Sequence, residues 1–454
     1  MKNLGLASKC IFFLALVTFF ANLPTYGGED IANARENALS DYPIDFWGGV
    51  SSFFYSRIPD SPLGWPVHLL IFQISIITIS LMAFAERNKT RSKKFKFMFL
   101  IFSYFALVFG SYQTRDGLMF TLTTAALSII FSKAFIASKK MWVVSKCFGV
   151  ILLVFAFSLR PWVSFSCSLV LASWYYFAVN SKKNLHKILI SFLIFTMFPV
   201  ATLFVELAAR KIVQVHSIYP EQQVISMDLG AAYCWSTNPK TILAAREALS
   251  LMYLDQNPGN VCDSFKPINW AWFSRKPIIE NDNSPTTFSF LTEKNGDESE
   301  IRILRSKWLK LIFDDPSSYI QNKYMFGSQV LIAGDSRYVR LVESDYYLVS
   351  SRQDYFDLLV GIFFLPWDLV ITLHLLSMQF VMFFWVVLVI RLYRRQYSRF
   401  FEMDFLYLVS FLLWLVATTI AYIGDNGRYT YSASLGLLFT LFLTSKNHHQ
   451  REKF

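Results

Sequence analysis

Charged residues are scarce in this chain: only 17% of its 454 residues are Asp, Glu, Lys or Arg, whereas 54% are hydrophobic and 18% aromatic. Such a composition does not fit a single water-soluble core, and several apolar runs reach the length that spans a bilayer. We therefore expect a polytopic membrane protein. The formal net charge of +11 does not indicate nucleic acid, because the basic residues lie in short clusters between apolar runs, as in cytoplasmic loops.

Cysteine is also rare, with five residues and no CxxC or other metal-binding spacing. Cys10, Cys147 and Cys167 lie in apolar runs and fit core positions. Cys234 and Cys262 lie in a long polar segment. If that segment is outside the cytoplasm, these two can form a disulfide worth roughly 3 to 4 kcal/mol for a loop of that size.

The basic clusters predict about ten membrane helices with both termini in the cytoplasm. The strongest inside marker is the basic run at 87–96, and the acidic segment 25–64 before it is predicted to face outward. The first helix, at the apolar run Cys10–Leu23, is expected to be retained, because no small-x-small cleavage site follows it. The later predicted helices are about Trp65–Ala85, Phe97–Tyr112, Leu118–Ala137, Met141–Leu159, Val163–Val179, Ile188–Glu206, Trp367–Ile390, Asp404–Ile423 and a tenth before the C-terminus.

This topology divides the chain into an N-terminal bundle of about seven helices at 1–206, an extracytoplasmic domain at 207–355 and a C-terminal bundle of about three helices at 356–454. The middle part has no spanning run. It contains an amphipathic helix at Ile301–Phe313 and a specific helix start at Asp314-Asp315-Pro316, with Asp as N-cap and Pro as first helical residue. We expect an all-α polytopic membrane protein with a mixed domain inserted between helices seven and eight.

Polar groups that are costly to hold near hydrocarbon converge on the outer side of this topology. A carboxylate can take the proton of an attacking hydroxyl, and arginines bind a phosphate bidentately and stabilise it as a leaving group. Each of these residues alone can be explained by a solvated loop, a helix cap or an arginine that snorkels to lipid headgroups. Their common position on the outer side of the membrane nevertheless favours a functional site. The members are Asp30 or Asp45 in the first outer loop, Arg115-Asp116 in the second outer turn, Arg160, and Arg428-Tyr429 before the last helix.

Several short motifs carry a family resemblance. They are Asp45-Phe46-Trp47, Arg115-Asp116-Gly117-Leu118-Met119, Arg160, Met227-Asp228-Leu229-Gly230, Trp308 with Pro316 and Tyr319, and Arg428-Tyr429. The chain resembles the GT-C superfamily of membrane glycosyltransferases, which includes protein mannosyltransferases and lipid A aminoarabinose transferases. More narrowly, it is similar to a group of bacterial polytopic GT-C-like proteins. Glu29-Asp30 stands here in place of the Asp-Glu of the better known transferases, and Gly48-Gly49 in place of the His-Pro of the narrower group.

The resemblance implies which residues act as the base and which lie on the acceptor side. It also implies a reaction that requires no metal. Asp30 or Asp45 is expected to be the base, and Asp116 to orient the acceptor or assist. Asp228 is expected on the acceptor side or in the outer domain. Transfer would be a single displacement with inversion, since one base and a good leaving group need no covalent intermediate. Asp30, Asp45 and Asp116 together are able to hold a divalent metal, although the resemblance does not imply one.

The donor implied by the resemblance is a polyprenyl-phosphate sugar, whose phosphate is expected to bind Arg428 and Tyr429 with Arg115 or Arg160. The acceptor would be a glycan, lipid or protein at the outer face of the bacterial inner membrane, in cell-surface polysaccharide or glycoconjugate synthesis. A polysaccharide polymerase or ligase of the O-antigen type would use similar arginines. A lipid-glycan transporter would instead show mid-membrane charges and Gly or Pro breaks in paired halves, and this sequence has no internal repeat.

Overall fold

The structure is a computed structural model that describes residues 4–21, 29–41, 43, 48–59, 64–87, 93–111, 115–131, 139–178, 184–215, 222–251, 262, 298–321 and 323. Within these residues the chain is almost wholly helical and contains no strand. The predicted C-terminal bundle at 356–454 lies outside them. So do Asp45, Arg428 and Tyr429 of the predicted site.

Twelve helices can be followed through the described part of the chain. They are α1 (Leu6–Ala21), α2 (Glu29–Leu39), α3 (Gly49–Ser56), α4 (Trp65–Arg87), α5 (Lys93–Ser111), α6 (Arg115–Phe131), α7 (Lys139–Ser158), α8 (Ser164–Ala178), α9 (Asn184–Val213), α10 (Gln222–Trp235), α11 (Pro239–Ser250) and α12 (Glu298–Asp314). A short 3-10 turn at Pro161–Val163 precedes α8, and residues 316–321 after α12 are again helical.

A helix lies at each of the seven positions predicted for the N-terminal bundle. Among the described residues, the stretches Trp65–Glu86 in α4 and Leu185–Val213 in α9 are long and apolar enough to cross a membrane. Shorter apolar stretches lie at Leu6–Phe20, Gly117–Ile130 and Val143–Ser158. The chain is therefore a mostly helical protein with two candidate membrane spans in its described part.

Helix α6 lies at the centre of this bundle, packed against α4, α5 and α7. All positions from Gly117 to Ser128 are buried, which is typical of a helix surrounded by others on every side. Hydroxyl groups of α6 form hydrogen bonds to the neighbouring helices. Thr121 donates to the Gly110 carbonyl oxygen at 3.1 Å, and Ser128 donates to the Ser80 carbonyl oxygen at 3.0 Å. Small hydroxyl and glycine residues let these backbones approach closely.

One end of the bundle is closed by Glu86, near the end of α4. Its Oε1 atom accepts hydrogen bonds from the Gly5 backbone N–H at 2.7 Å and from the Ser8 hydroxyl at 2.6 Å. A carboxylate at this place satisfies donors at the start of α1 and is favoured by its helix dipole. Helix α1 therefore begins where α4 ends, so the two run antiparallel.

The segment predicted as the first outer loop folds at the opposite end, here called the α3 end. It forms α2 and α3, which pack on each other, and α3 also packs on α9. The Phe54 ring of α3 lies 5.8 Å from the Phe72 ring of α4 and 6.4 Å from the Phe155 ring of α7. Arg35 of α2 lies 5.5 Å from the ring centroid of Trp65, where α4 begins. The described part of this loop, here called the covering loop, is thus folded and packs on this end of the bundle.

Helix α9 is longer than its predicted span Ile188–Glu206. It has 30 residues and runs on to Val213, which corresponds to about 45 Å against a hydrocarbon thickness of about 30 Å. Residues 207–213, predicted to start the extracytoplasmic domain, are therefore helical and continuous with the bundle. The extra turns consist of apolar and helix-favouring residues, and an ion pair between Glu206 and Arg210 at 2.9 Å supports them at i,i+4 spacing.

The described part of the predicted domain at 207–355 is a unit of three helices, α10, α11 and α12, that pack on one another. Helix α11, which the sequence did not predict, begins with Asn238 as N-cap, whose side chain accepts from the Lys240 backbone N–H at 3.1 Å. A disulfide joins Cys234 near the end of α10 to Cys262, with 5.3 Å between their Cα atoms. The described residues of this domain, predicted to be of mixed structure, are mostly helical and contain no strand.

Candidate functional site

Arg115 and Arg160 lie at the same level of the bundle. Helices α6 and α7 pack antiparallel, and the Lys146 ammonium of α7 donates to the Ile129 carbonyl oxygen of α6 at 3.0 Å. Because the two helices keep this register along their length, the first residues of α6 lie level with the last residues of α7. Two of the three arginines predicted to bind the donor phosphate are therefore brought to one end of the structure.

Arg115 and Asp116 are the first two residues of α6, and not a turn before a helix that starts at Leu118. An acidic residue in the first helical turn is favourable because the helix dipole is positive there. Asp30 holds the corresponding place in the first turn of α2. The structure places the backbones of these two carboxylates, while their side chains lie outside the described atoms.

Arg160 is a buried residue with only 9% of its surface exposed. It sits in the break between α7 and α8, where its backbone N–H donates to the Phe157 carbonyl oxygen at 3.1 Å and its carbonyl oxygen accepts from the Val163 N–H at 3.0 Å. The 3-10 turn that follows contacts α7, α8 and α9. This burial does not fit an arginine that snorkels to lipid headgroups, which was the structural explanation considered from the sequence.

Glu206 is a buried carboxylate, which the sequence predicts only as the last residue of the seventh membrane helix. It is 4% exposed. Its two oxygens accept from the backbone N–H groups of Gly49 at 2.6 Å and Val50 at 2.9 Å, at the start of α3. The Arg210 guanidinium donates to the same carboxylate at 2.9 Å. The positive end of the α3 dipole is thus filled by a protein carboxylate, so it is not available to a donor phosphate.

Gly48 and Gly49 permit this contact. Gly48 has a φ of +81°, a conformation that favours glycine, and a Cβ atom at Gly49 would lie 2.4 Å from the Arg210 backbone nitrogen. The Gly-Gly pair that departs from the His-Pro of the resembling group therefore has a steric reason here. The Gly-Gly pair is the sequence signal from which this close approach of two backbones could have been predicted.

Asp228 lies in a second buried cluster, within the three-helix unit. Its Oδ1 atom pairs with the Lys323 ammonium at 2.9 Å, and its Oδ2 atom accepts from the Trp308 indole N–H at 3.1 Å. The Lys323 ammonium also lies 5.3 Å from the centroid of the Tyr319 ring. Three residues quoted for the family resemblance, Asp228, Trp308 and Tyr319, are therefore neighbours in space, and Lys323 joins them without having been predicted.

The electrostatics of this cluster favour a structural role. Burial, and to a lesser degree the charge of Asp228, raises the pKa of Tyr319 to about 12, so its phenol stays protonated at physiological pH. The side chains of Lys323 and Asp228 are only 8% and 3% exposed. Because both oxygens of Asp228 are engaged inside the unit, the cluster can hold α10, α12 and the segment after it together.

Asp315 connects α10 to the helical segment at 316–321. It accepts from the Ser236 hydroxyl at 2.5 Å, from the Ser317 hydroxyl, and from the Ser318 hydroxyl and backbone N–H at 2.9 and 3.3 Å. The predicted helix start with Asp before Pro316 is confirmed by this capping. Hydrogen bonds from Ser236 first, and then from Ser317, lower the pKa of Asp315 from 3.8 to about 2.

The lowered pKa of Asp315 predicts a loss of stability in acid. The contribution of the carboxylate is fully present above its ordinary pKa of 3.8 and is lost as the pH falls through about 2. We expect the unfolding midpoint of Asp315→Asn to lie below that of the wild type at pH 6 and the two to converge toward pH 2. Thermal unfolding of both proteins from pH 6 to pH 2 measures this, with the exposed neighbour Asp314→Asn as control. A constant gap between wild type and Asp315→Asn at all pH values would contradict it.

Neither a metal-binding cluster nor a comparison with known proteins adds residues to the candidate site. Among the described side chains, no three His, Cys, Asp or Glu residues lie together in a way that could hold a metal ion. Comparisons of the chain with models of protein families, with curated proteins and with solved structures find no match. The function therefore has to be inferred from the residues of the chain itself.

Proposed function

We propose that the chain is a GT-C-like membrane glycosyltransferase that transfers a sugar from a polyprenyl-phosphate donor to a glycan, lipid or protein acceptor at the α3 end of the bundle. The observation that carries the proposal is the alignment of Arg115 with Arg160 at the ends of α6 and α7. The covering loop lies at the same end, because Phe54 of α3 packs on Phe155 of α7, close to Arg160. Two guanidinium groups and an acidic cover form a site suited to a phosphate leaving group.

The reaction is a displacement at the anomeric carbon of the donor sugar. The acceptor oxygen attacks, the bond from the anomeric carbon to the phosphate oxygen breaks, and the configuration inverts. In this proposal Asp30 or Asp45 takes the acceptor proton, and Asp116 orients the acceptor. Arginines stabilise the charge on the departing polyprenyl phosphate.

The donor phosphate in this proposal is held by Arg428 and Tyr429 together with Arg115 or Arg160. Bidentate hydrogen bonds from a guanidinium fork match the oxygens of a phosphate. The burial of Arg160 strengthens its attraction for an anion, because water screens a buried charge poorly. The end of α3 does not compete for the donor, since Glu206 occupies it.

The proposed setting is the bacterial inner membrane, with about ten helices, cytoplasmic termini and the domain at 207–355 outside. The surface of α9 supports a lipid environment, since Phe192, Leu203 and Phe204 on it are 60%, 51% and 71% exposed. With Asn184 at the inner surface, a hydrocarbon layer of about 20 residues ends near Glu206. The α3 end then lies at the outer headgroup layer, where a polyprenyl phosphate presents its sugar.

Mass spectrometry of the lipids that co-purify in mild detergent tests the proposal. We expect the wild type to retain a polyprenyl-phosphate sugar, and Arg428→Ala or Arg160→Lys to retain roughly 10- to 100-fold less, the effect of a lost charged hydrogen bond. Arg160→Lys keeps the positive charge and removes only the planar guanidinium group that binds a phosphate bidentately. Arg246→Ala, an exposed arginine of α11, is the matched control.

The identity of the bound lipid separates the related functions. A glycan on a lipid diphosphate would assign the chain to the polymerases or ligases. Bulk phospholipids alone in wild type and all variants would contradict a donor site at the α3 end, and with it the glycosyltransferase proposal.

A further inference from the structure

Helix α12 has an apolar face that points away from the unit it belongs to. Its inner face is closed by Ile301 and Leu304, which are both fully buried against the other helices. Leu309 and Phe313, one turn apart, are 47% and 81% exposed, and Ile320 beyond the helix is 62% exposed. An aromatic side chain as exposed as Phe313 next to other apolar groups marks an interaction surface.

The charges on α12 indicate what this face contacts. Helix α12 carries four basic residues, Arg302, Arg305, Lys307 and Lys310, while its acidic residues Glu298, Glu300 and Asp314 lie in its first and last turns. Lys307 pairs with Glu247 of α11 at 3.4 Å. Arg302 and Lys310 are exposed, and Arg302 lies seven residues before Leu309 and Lys310 three residues before Phe313, so each shares a helix face with one of these apolar side chains. Apolar and aromatic side chains flanked by basic ones are typical of a helix that lies in an anionic membrane interface.

The chain keeps this face close to a bilayer. The candidate membrane span of α9 continues to Val213, and α10 begins at Gln222. The connection at 214–221 reaches at most about 28 Å even when fully extended. Because α12 packs on α10 and α11, it is tethered within reach of the same surface.

We propose that the exposed face of α12, formed by Arg302, Leu309, Lys310 and Phe313, docks on the anionic headgroup layer of the membrane that α9 crosses. Phe313 and Leu309 enter the interface, and Lys310 reaches phosphate groups beside them. This inference rests on the membrane location within the proposed function and not on its chemistry. Docking fixes the three-helix unit against the outer surface, next to the end of α9 that holds α3.

Photo-cross-linking of the full chain in lipid nanodiscs tests the docking. The photoreactive aromatic residue p-benzoylphenylalanine replaces Phe313, whose exposure makes the exchange compatible with folding. The same probe at Phe204 of α9 is the reference for a residue within the bilayer. After illumination, mass spectrometry identifies what each probe has captured in nanodiscs of phosphatidylglycerol with phosphatidylethanolamine, and in nanodiscs of phosphatidylcholine alone.

Lipid adducts are expected at both positions in the anionic nanodiscs. At position 313 the yield should fall roughly fivefold in phosphatidylcholine, and by a similar factor when Lys310→Glu is added, the effect of one basic residue at an anionic surface. At position 204 neither change should matter. Lipid adducts at 204 with only peptide adducts at 313, from this chain or a second copy, would overturn the docking and leave the membrane location standing. No lipid adduct at either position would overturn both.

Discussion

Replacing Asp228 by Ala is expected to destabilise the three-helix unit by about 3 to 5 kcal/mol. The change leaves the Lys323 ammonium, 2.9 Å from Asp228 and 8% exposed, buried without its counter-charge. The Trp308 indole N–H loses its acceptor as well. Removing one member of a buried pair is costly because the remaining charge cannot recover its hydration.

A second ion pair in the same unit provides the matched control. Lys307 and Glu247 are 3.4 Å apart, but their side chains are 36% and 59% exposed, so Lys307→Ala should cost less than about 1 kcal/mol. The double variant Asp228→Leu with Lys323→Met removes both buried charges and should recover most of the loss. Hydrogen exchange of α10 and α12, with thermal unfolding of the full chain, measures all three. Equal losses of stability in Asp228→Ala and Lys307→Ala would show that the buried ion pair contributes no more than the exposed one.

The helices of the bundle could be predicted because their signals are local. An apolar run of bilayer length and the basic cluster beside it are read from neighbouring residues, and a helix occurs at each such place from α1 to α9. The capping of the segment at 316–321 was equally local, since Asp315 and Pro316 are adjacent. Helix ends are less local: α9 continues beyond Glu206 to Val213, where the apolar pattern weakens and the ion pair of Glu206 with Arg210 supports the added turns.

The contacts that define the two polar clusters could not be predicted from local patterns. Glu206 binds α3 across 157 residues of sequence, and Trp308 binds Asp228 across 80. In the sequence Glu206 is one acidic residue near a helix end, and Lys323 is one basic residue in a polar segment. Gly48-Gly49 is the local signal from which the first contact could have been predicted, because adjacent glycines permit a close approach of two backbones.

The residues that carry the family resemblance have different surroundings in the structure. Asp228, Trp308 and Tyr319 belong to the motifs that carry the resemblance, and in space they are neighbours: Lys323 and Trp308 engage both oxygens of the buried Asp228 carboxylate, and Tyr319 lies against Lys323. These contacts give the three residues a role in stability. Arg115 and Arg160 differ, because the register of α6 and α7 places both at the end of the bundle on which α3 packs.

Gly49→Ala is expected to detach α3 from α9. The new Cβ atom would lie 2.4 Å from the Arg210 backbone nitrogen and 2.8 Å from its Cα atom. These backbone atoms cannot move aside as a flexible side chain can, so α3 must shift and weaken both hydrogen bonds to the buried Glu206 carboxylate. Overpacking and the weakened bonds together should cost about 2 to 4 kcal/mol, more than the gain of at most about 1 kcal/mol from a better helix former.

Ser52→Ala on the same helix is the control for this prediction. The Ser52 hydroxyl is fully buried and makes no hydrogen bond within the described part of the chain, so its removal should be neutral or slightly stabilising. Thermal unfolding in detergent and the rate of proteolysis between α2 and α4 measure both variants. Because the covering loop packs on the end of the bundle where Arg115 and Arg160 are proposed to hold the donor phosphate, Gly49→Ala should also reduce retention of the donor lipid, whereas Ser52→Ala should not. Wild-type proteolysis and lipid retention in Gly49→Ala would show that the contact of α3 with α9 does not hold the loop over the site.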